Sequence, residues 1–372
     1  MINTYVPFIG HEEQKNLKNS IKQNYISTFG PTVAKFENTF SKIFNFKYTV
    51  ALNSGTSALH AALIASDVKA NDIVIVPSYT FAATANAITY VGAIPWFFDC
   101  DKDFILDLKK LNTILKKKTK IINKRLILKK NGKTVKCIIP VQTFGQNIEF
   151  KKFEDFAKKN FLKIIFDSAA CHEPKIFKAK KSLSSSYCFS FNGNKTLTTG
   201  AGGMFATNSL ALANKVKILS SVGKKMTKYD YHLIGYNYKM TNLQASIGLA
   251  QLKKLDLIIK KKKKLFNFYK NNLKLNRSSK IIFSNNFTNW VFGIIVQKNN
   301  QFSKIKELFN QNNIQLTYFW KPLHLQKPYK KFMKENILYC TNIWKRIVIL
   351  PSHPGININN QKTICKLVNK YL

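Results

Sequence analysis

Acidic side chains are scarce in this sequence. The 372 residues hold 18 Asp and Glu against 60 Lys and Arg, a formal charge of +42. Arginine is scarcer still: only Arg125, Arg277 and Arg346 occur, so 57 of the basic residues are lysine. That shortage argues against specific nucleic-acid recognition, because guanine and paired-phosphate readout favour the bidentate fork of arginine. No zinc-finger spacing, RNP-like stretch or interleaved basic–aromatic run is present either. The lysines are spread along the chain, and the densest run, Lys260–Lys264 in LIIKKKKKLFNFY, is expected on a solvated helix face. The charge therefore reads as lysine-biased composition, with a modest pull on anionic substrates as a by-product. Long apolar runs are also missing. The longest candidate, Ile73–Phe98, is broken by Pro77, Asn86 and Pro95, so no membrane insertion is expected. The opening MINTYVPFIGHEEQ lacks a basic stretch followed by an apolar core, and no signal peptide is expected. Six cysteines without a CxxC pair point to reduced thiols in a cytoplasmic setting. Metal chemistry finds no support: Asp99–Asp103 has DxDxD spacing, but Phe104 stands where a calcium loop needs glycine, and the six histidines form no ligand spacing. No GxSxG-type nucleophile motif occurs.

What is present is a chain with 45% hydrophobic residues, ample for a large core. Helical patterns (Glu12–Gln23, Thr32–Phe44, Ala82–Val91) alternate with short apolar strands (Tyr48–Leu52, Ile73–Val76, Pro95–Phe98, Cys137–Val141, Leu162–Phe166, Tyr187–Phe191). Asn131-Gly132 within Leu126–Lys136 signals a hairpin turn. The alternation predicts an α/β fold with a large, mainly parallel sheet to about residue 250. Beyond it, a basic helix, a strand at Trp290–Val296, a helix at Ser303–Asn312 and a final helix from Asn359 suggest a smaller C-terminal α/β domain. The expected division is 1–250 and 251–372. In such sheets ligands sit at the carboxyl ends of strands.

Three stretches fall there. In NSGTSALHAALIAS a strand ends, Asn53, Ser54 and Gly55 turn, and a helix begins near Thr56. Gly55 allows close approach, and the first-turn amides favour an anion; an ordinary helix cap would explain the pattern equally well. In KIIFDSAAC, Asp167 closes an apolar strand, where a carboxylate either caps the next turn or pairs with a buried cation. In CFSFNGNKTLTTGAGGMF, Lys195 is the only charged side chain from Ser182 to Asn214. An amine without a carboxylate neighbour in sequence is suited to a desolvated site, where a lowered pKa makes it a nucleophile and base. Anion cradle, buried acid and isolated amine together match the needs of pyridoxal phosphate: amides and hydroxyls for its phosphate, a carboxylate for its ring nitrogen, a lysine for its aldehyde. Phe81, just past a strand end, can cover the ring.

The stretches STFGPTVAKFE, ALNSGTSALHAAL, PSYTFAATANAITYVGAIPWFFDCD, PVQTFGQ, CFSFNGNKTLTTGAGGMF, GYNYKMTNLQASIGLAQL, YFWKPLHLQKPY and VILPSHPGIN resemble the DegT/DnrJ/StrS sugar aminotransferases, pyridoxal-phosphate enzymes of fold type I, over nearly the whole chain. The resemblance implies that Lys195 binds the cofactor and shuttles the proton. It implies that Asp167 pairs with the pyridine nitrogen, that Phe81 stacks on the ring, and that Gly55, Thr56 and Ser190 hold the phosphate. Asn237 would reach the cofactor of a second subunit in a homodimer with shared active sites, and His324 would lie near the substrate. The implied reaction moves an amino group from L-glutamate to C4 of a nucleotide-linked 4-keto-6-deoxy sugar. The FNGNK form and the extension INKRLILKKNGKTVKCIIP are most similar to enzymes acting on UDP-4-keto-6-deoxy-N-acetylhexosamine in legionaminic-acid-type surface-sugar synthesis; perosamine synthases, which use a GDP sugar, are the nearest rival.

The sequence departs from the family pattern at Ala170, where Gln, Glu or His is usual, at Ala201 in the TTGxGG stretch, at Gln142 in place of a familiar His, and at Thr317 in place of an Arg. Two other readings compete. A sugar dehydratase of the same fold would carry His where Lys195 stands. A basic nucleic-acid-binding or catalytically silent regulatory member would rest on the charge alone.

Overall fold

The computed structural model describes residues 1–179, 181–225, 229–276, 279–282 and 289–372. Its strands in the first half are β1 (Tyr48–Leu52), β2 (Ile73–Pro77), β3 (Ile94–Phe98), β4 (Thr119–Ile122), β5 (Arg125–Leu128), β6 (Thr134–Ile138) and β7 (Lys163–Asp167). The remainder are β8 (Ser185–Ser190), β9 (Gly203–Thr207), β10 (Lys280–Ile282), β11 (Phe292–Ile295), β12 (Met333–Lys334) and β13 (Ile347–Leu350). The large sheet runs β1-β9-β8-β7-β6-β2-β3-β12. The ladders from β8 through β7, β6, β2 and β3 to β12 are parallel, whereas β9 is antiparallel to both β1 and β8. A second sheet, β10-β11-β13, is antiparallel.

The parallel strands are buried along almost their whole length, which is why they read as continuous apolar runs rather than alternating ones. Helix Gly55–Ala65 packs on one face of the sheet, in a cluster with Val74, Val76 and Ile165. On the other face, helix Thr32–Phe44 lays Phe36, Phe40 and Phe44 against Phe189 and Phe191. Phe40 stacks on Phe44 at 4.1 Å and meets Phe189 and Phe191 edge-on at 5.1 and 5.7 Å. These rings fix the end of β8, immediately before the Lys195 loop. A third cluster joins helices Leu255–Asn272, Asn299–Gln311 and Ile358–Asn369 to the small sheet.

Three expectations need adjusting. The hairpin at Asn131-Gly132 forms between β5 and β6, with Gly132 at φ 72°, but β4 adds a further antiparallel strand through a turn in which Asn123 and Lys124 adopt φ 48° and 57°. Strand β12, late in the chain, lies parallel to β3 at the edge of the large sheet. The lysine run is not wholly solvated: Lys262 is buried, and its Nζ donates to the carbonyls of Trp290 and Ser352, both at 2.8 Å. The six cysteines are buried and unbridged. Among the described residues no helix is long and apolar enough to cross a membrane.

Removing a fully buried aromatic from such a cluster leaves a cavity as well as losing its transfer free energy. Phe40→Ala should lower stability by about 3–5 kcal/mol, read as a fall in the urea denaturation midpoint.

Candidate active site

The carboxyl ends of β1, β2, β7 and β8 surround one cavity of about 260 Å³. After β1, Ser54 caps helix Gly55–Ala65: its Oγ accepts from the Ser57 amide at 3.0 Å, while Ser57 Oγ donates to Asn53 Oδ1 at 2.6 Å. The next helix amides, at Gly55 and Thr56, precede the first intrahelical bonds and line the cavity. Ser190 at the end of β8 faces them. A Cβ on residue 55 would lie 2.8 Å from Ser190 Cβ, so this approach requires glycine. The result is an anion cradle of helix amides and hydroxyls.

Across the cavity, Asp167 ends β7 and is 4% exposed. Its Oδ2 accepts from Thr84 Oγ1 at 2.7 Å and its Oδ1 from the Ala169 amide at 3.1 Å. Thr80 Oγ1 lies 2.8 Å from Thr84 Oγ1, so the hydroxyl pair forms a short chain aimed at the carboxylate. Burial pushes the Asp167 carboxyl upward, against the pull of Thr84, the Ala169 amide and Lys195. A buried acid in this condition is best satisfied by a cation placed beside it.

Lys195 follows the Asn192–Asn194 turn, half-buried, with Nζ 3.7 Å from the centre of the Trp290 ring. Burial lowers its pKa to about 8, and Asp167 opposes that shift. His172 is buried nearby, and burial with the Lys195 charge lowers its pKa to about 3, so it is neutral. Asp167 and Lys195 are the only acidic and basic side chains lining the cavity among the described residues. Phe81, 57% exposed, and Trp320 stand at the lining with ring centres 6.0 Å apart.

Six of the residues singled out from sequence therefore meet: Gly55, Thr56, Phe81, Asp167, Ser190 and Lys195. Two do not line the cavity. Asn237 is exposed on the segment leading to helix Asn242–Lys253, and its carbonyl accepts from Asn53 Nδ2 at 3.1 Å. His324 is buried, its ring held between Ser78 Oγ at 2.6 Å and Thr341 Oγ1 at 3.1 Å. Of the departures, Ala170, Ala201 and Gln142 line the cavity and Thr317 is exposed. Gln142 Oε1 accepts from Ser168 Oγ at 2.7 Å, bracing the residue after Asp167. Asp101, in the DxDxD stretch, spends Oδ1 on the amides of Asp103 and Ile105 at 2.9 and 3.1 Å, as a turn former does. Thr84, Trp290 and Trp320, which line the cavity, and Lys262, which holds the Trp290 carbonyl, were given no site role from sequence. Thr84 sits one helical turn beyond Phe81, and two of the chain's four tryptophans line the cavity, which is the nearest thing to a signal for them.

Comparison with known proteins agrees with this architecture. The profile of the DegT/DnrJ/EryC1/StrS aminotransferase family matches residues 7–369, and the chain belongs to that family. It is 30% identical to GDP-perosamine synthase of Escherichia coli O157:H7 over 382 residues, covering 100% of this chain and 98% of that protein. It is 30% identical to UDP-4-amino-4,6-dideoxy-N-acetyl-beta-L-altrosamine transaminase of Campylobacter jejuni over 351 residues, covering 91% and 89%. The fold superposes on a DegT DnrJ EryC1 StrS aminotransferase from Brucella abortus with a TM-score of 0.86 at 25% identity, covering 97% and 95%. The protein is an aminotransferase that uses pyridoxal phosphate. The residues present fit that cofactor: the glycine-tight cradle suits its phosphate, and the buried acid in need of a cation suits its ring nitrogen.

Two pH effects follow. In cofactor-free protein at pH 8, about half of the Lys195 amines are neutral, against roughly 0.4% for an exposed lysine. An amine-directed reagent at limiting dose should therefore label the Lys195 peptide ahead of peptides whose lysines are exposed, as read by mass spectrometry. Lys262 loses its proton at about 7, pushed down by burial from 10.5. A neutral amine has two N–H groups, matching its two carbonyl acceptors. Between those pH values the unfolded chain binds more protons than the folded one, so this group adds stability as pH rises. Lys262→Met should remove that increment, seen as a smaller change in denaturation midpoint between pH 7 and pH 10 than in the unaltered protein.

Proposed function

We propose that this protein transfers the amino group of L-glutamate to C4 of a nucleotide-linked 4-keto-6-deoxy sugar, with UDP-4-keto-6-deoxy-N-acetylhexosamine as the first candidate. The single observation that carries the reading is that Lys195 and Asp167 are the only charged groups lining the cavity among the described residues, beside an anion cradle. When bound, pyridoxal phosphate supplies an aldehyde to receive the amino group and a protonated ring that draws electrons from the carbon being deprotonated.

The chain's own residues do the rest. Gly55 and Thr56 amides, with Ser190, bind the phosphate group. Asp167, held by Thr84 and the Ala169 amide, would hold a proton on the cofactor's ring nitrogen. Lys195, its pKa lowered to about 8 by burial, accepts and returns a proton near neutral pH, where general base catalysis is most effective. Phe81 and Trp320 wall the open side and limit water. Ala170 leaves a gap where a polar side chain is usual in the family, so this protein has one hydrogen bond fewer to offer there.

A GDP-linked sugar is the second reading, supported by relatives that align with the whole chain and are named GDP-perosamine synthase. The reading also includes a pair of chains with shared sites. Asn237 is exposed beside Tyr229, Tyr231, Leu233 and Ile234, an apolar stretch suited to contact with a second copy. His324 would then act from behind, steadying the segment that carries Trp320. The division 1–250 and 251–372 belongs to the same reading, supported by the separate small sheet; a cytoplasmic setting fits the six buried thiols.

Incubation with L-glutamate and a panel of UDP- and GDP-linked 4-keto sugars should give a nitrogen-containing product from one nucleotide class, identified by mass spectrometry. Lys195→Ala should lower turnover at least 10³-fold, in line with loss of a group that is both nucleophile and proton carrier. A Lys195→Ala protein with ordinary turnover contradicts the proposal, as does a panel in which no sugar gains nitrogen.

A further inference from the structure

One side chain touches Lys195 at both ends, and the sequence places it in a strand but assigns it no part in the site. Trp290 lies two residues before the start of β11, nearly a hundred residues beyond Lys195 in the chain. Its Nε1 donates to the Asn194 carbonyl at 2.7 Å, the peptide that enters Lys195. Its ring face carries the Lys195 Nζ at 3.7 Å from the centroid. The backbone and the tip of the same lysine are thus fixed by one indole.

The indole is itself fixed. It is 5% exposed. Its amide donates to the Phe144 carbonyl at 2.8 Å. Its carbonyl accepts from Lys262 Nζ, which ties it to Ser352. Tyr5 stacks on the ring at 5.4 Å, and Phe319 and Trp320 pack tilted against it at 5.7 and 6.3 Å. Four separate segments converge to hold one ring under one amine.

We infer that Trp290 is a positioning residue: its ring is the dock on which the Lys195 amine rests whenever that amine is not joined to the cofactor, and the ring face steadies the protonated amine there. The inference rests on the proposed role of Lys195. A lysine that must let go of the cofactor and take it again in each cycle would otherwise be free to swing among many rotamers. A contact on the ring face favours the ammonium form, because the face of an indole is the negative end of its quadrupole. Trp290 and burial therefore act in opposite directions on the same proton. The other groups around the amine are Asp167, which favours its charge, and His172, which is neutral. Tyr5 and Lys262 touch the indole rather than the amine.

A wall residue that merely filled space would be indifferent to the electron density of its ring, so that is the property to vary. Protein grown with mono-, di- and trifluorinated tryptophan keeps the shape of the side chain while weakening its cation-binding face. In cofactor-free samples, the pH midpoint for amine labelling of the Lys195 peptide should fall stepwise with fluorination. Trp290→Leu should lower it by about 0.5–1 unit, and Trp290→Phe by less. In the holoenzyme, Trp290→Leu should slow the single-turnover reaction with glutamate while leaving its dependence on glutamate concentration unchanged. A midpoint that stays constant across the fluorinated series overturns the inference, and so does a Trp290→Leu protein with an unaltered midpoint. Failure of the underlying reading is separate: it would show as ordinary turnover in Lys195→Ala, whatever Trp290 does.

Discussion

Asp167 and Lys195 face one cavity in which burial penalises both of their charges, and the rest of the site is arranged around that penalty. Burial raises the acid's pKa and lowers the amine's. Each is then most comfortable with a ligand that completes it: a cationic ring nitrogen for the acid, an aldehyde for the amine. In a chain with 60 basic residues, Lys195 is the only lysine in this lining among the described residues, and burial sets its amine apart from those on the surface. The surface charge is a matter of composition; the interior charge is placed.

The placement depends on the fold in a direct way. The parallel order of β2, β6, β7 and β8, with β1 running the same way beyond β9, brings the ends of separate strands to one edge, so that residues 55, 84, 167 and 190 meet although they are far apart in the chain. The phenylalanine cluster beneath β8 fixes the start of the Lys195 loop. The later part of the chain closes the site from the other side through Trp290 and Trp320, and the N-terminal segment reaches in through Tyr5. The cavity is thus a convergence of elements that stabilise one another, with a ring held from several segments lying next to the buried amine.

Much of this was legible in the sequence, and the reason is chemical. An isolated lysine among glycines and threonines, an acid closing an apolar strand, and a glycine at a strand-to-helix turn each carry a local signature that does not depend on distant contacts. The illegible parts are those defined by contacts across the chain. Thr84 matters because its hydroxyl finds Asp167, eighty-three residues away. The Asn123-Lys124 turn lacks the glycine that marked its neighbour at Gly132, so β4 had no signal. Lys262 shows a different failure. Five consecutive lysines look alike, yet the helix period set by Ile258, Leu265 and Tyr269 turns one of them inward. The period was there to be read, and the charge run obscured it.

The central claim is that Lys195, alone among 57 lysines, carries the cofactor opposite Asp167. Borohydride reduction of the holoenzyme followed by proteolysis and mass spectrometry tests it most directly. The account predicts the pyridoxyl-phosphate mass on the peptide containing Lys195 and on no other. The same mass on a different lysine, or no modified peptide from protein that holds the cofactor, would contradict it.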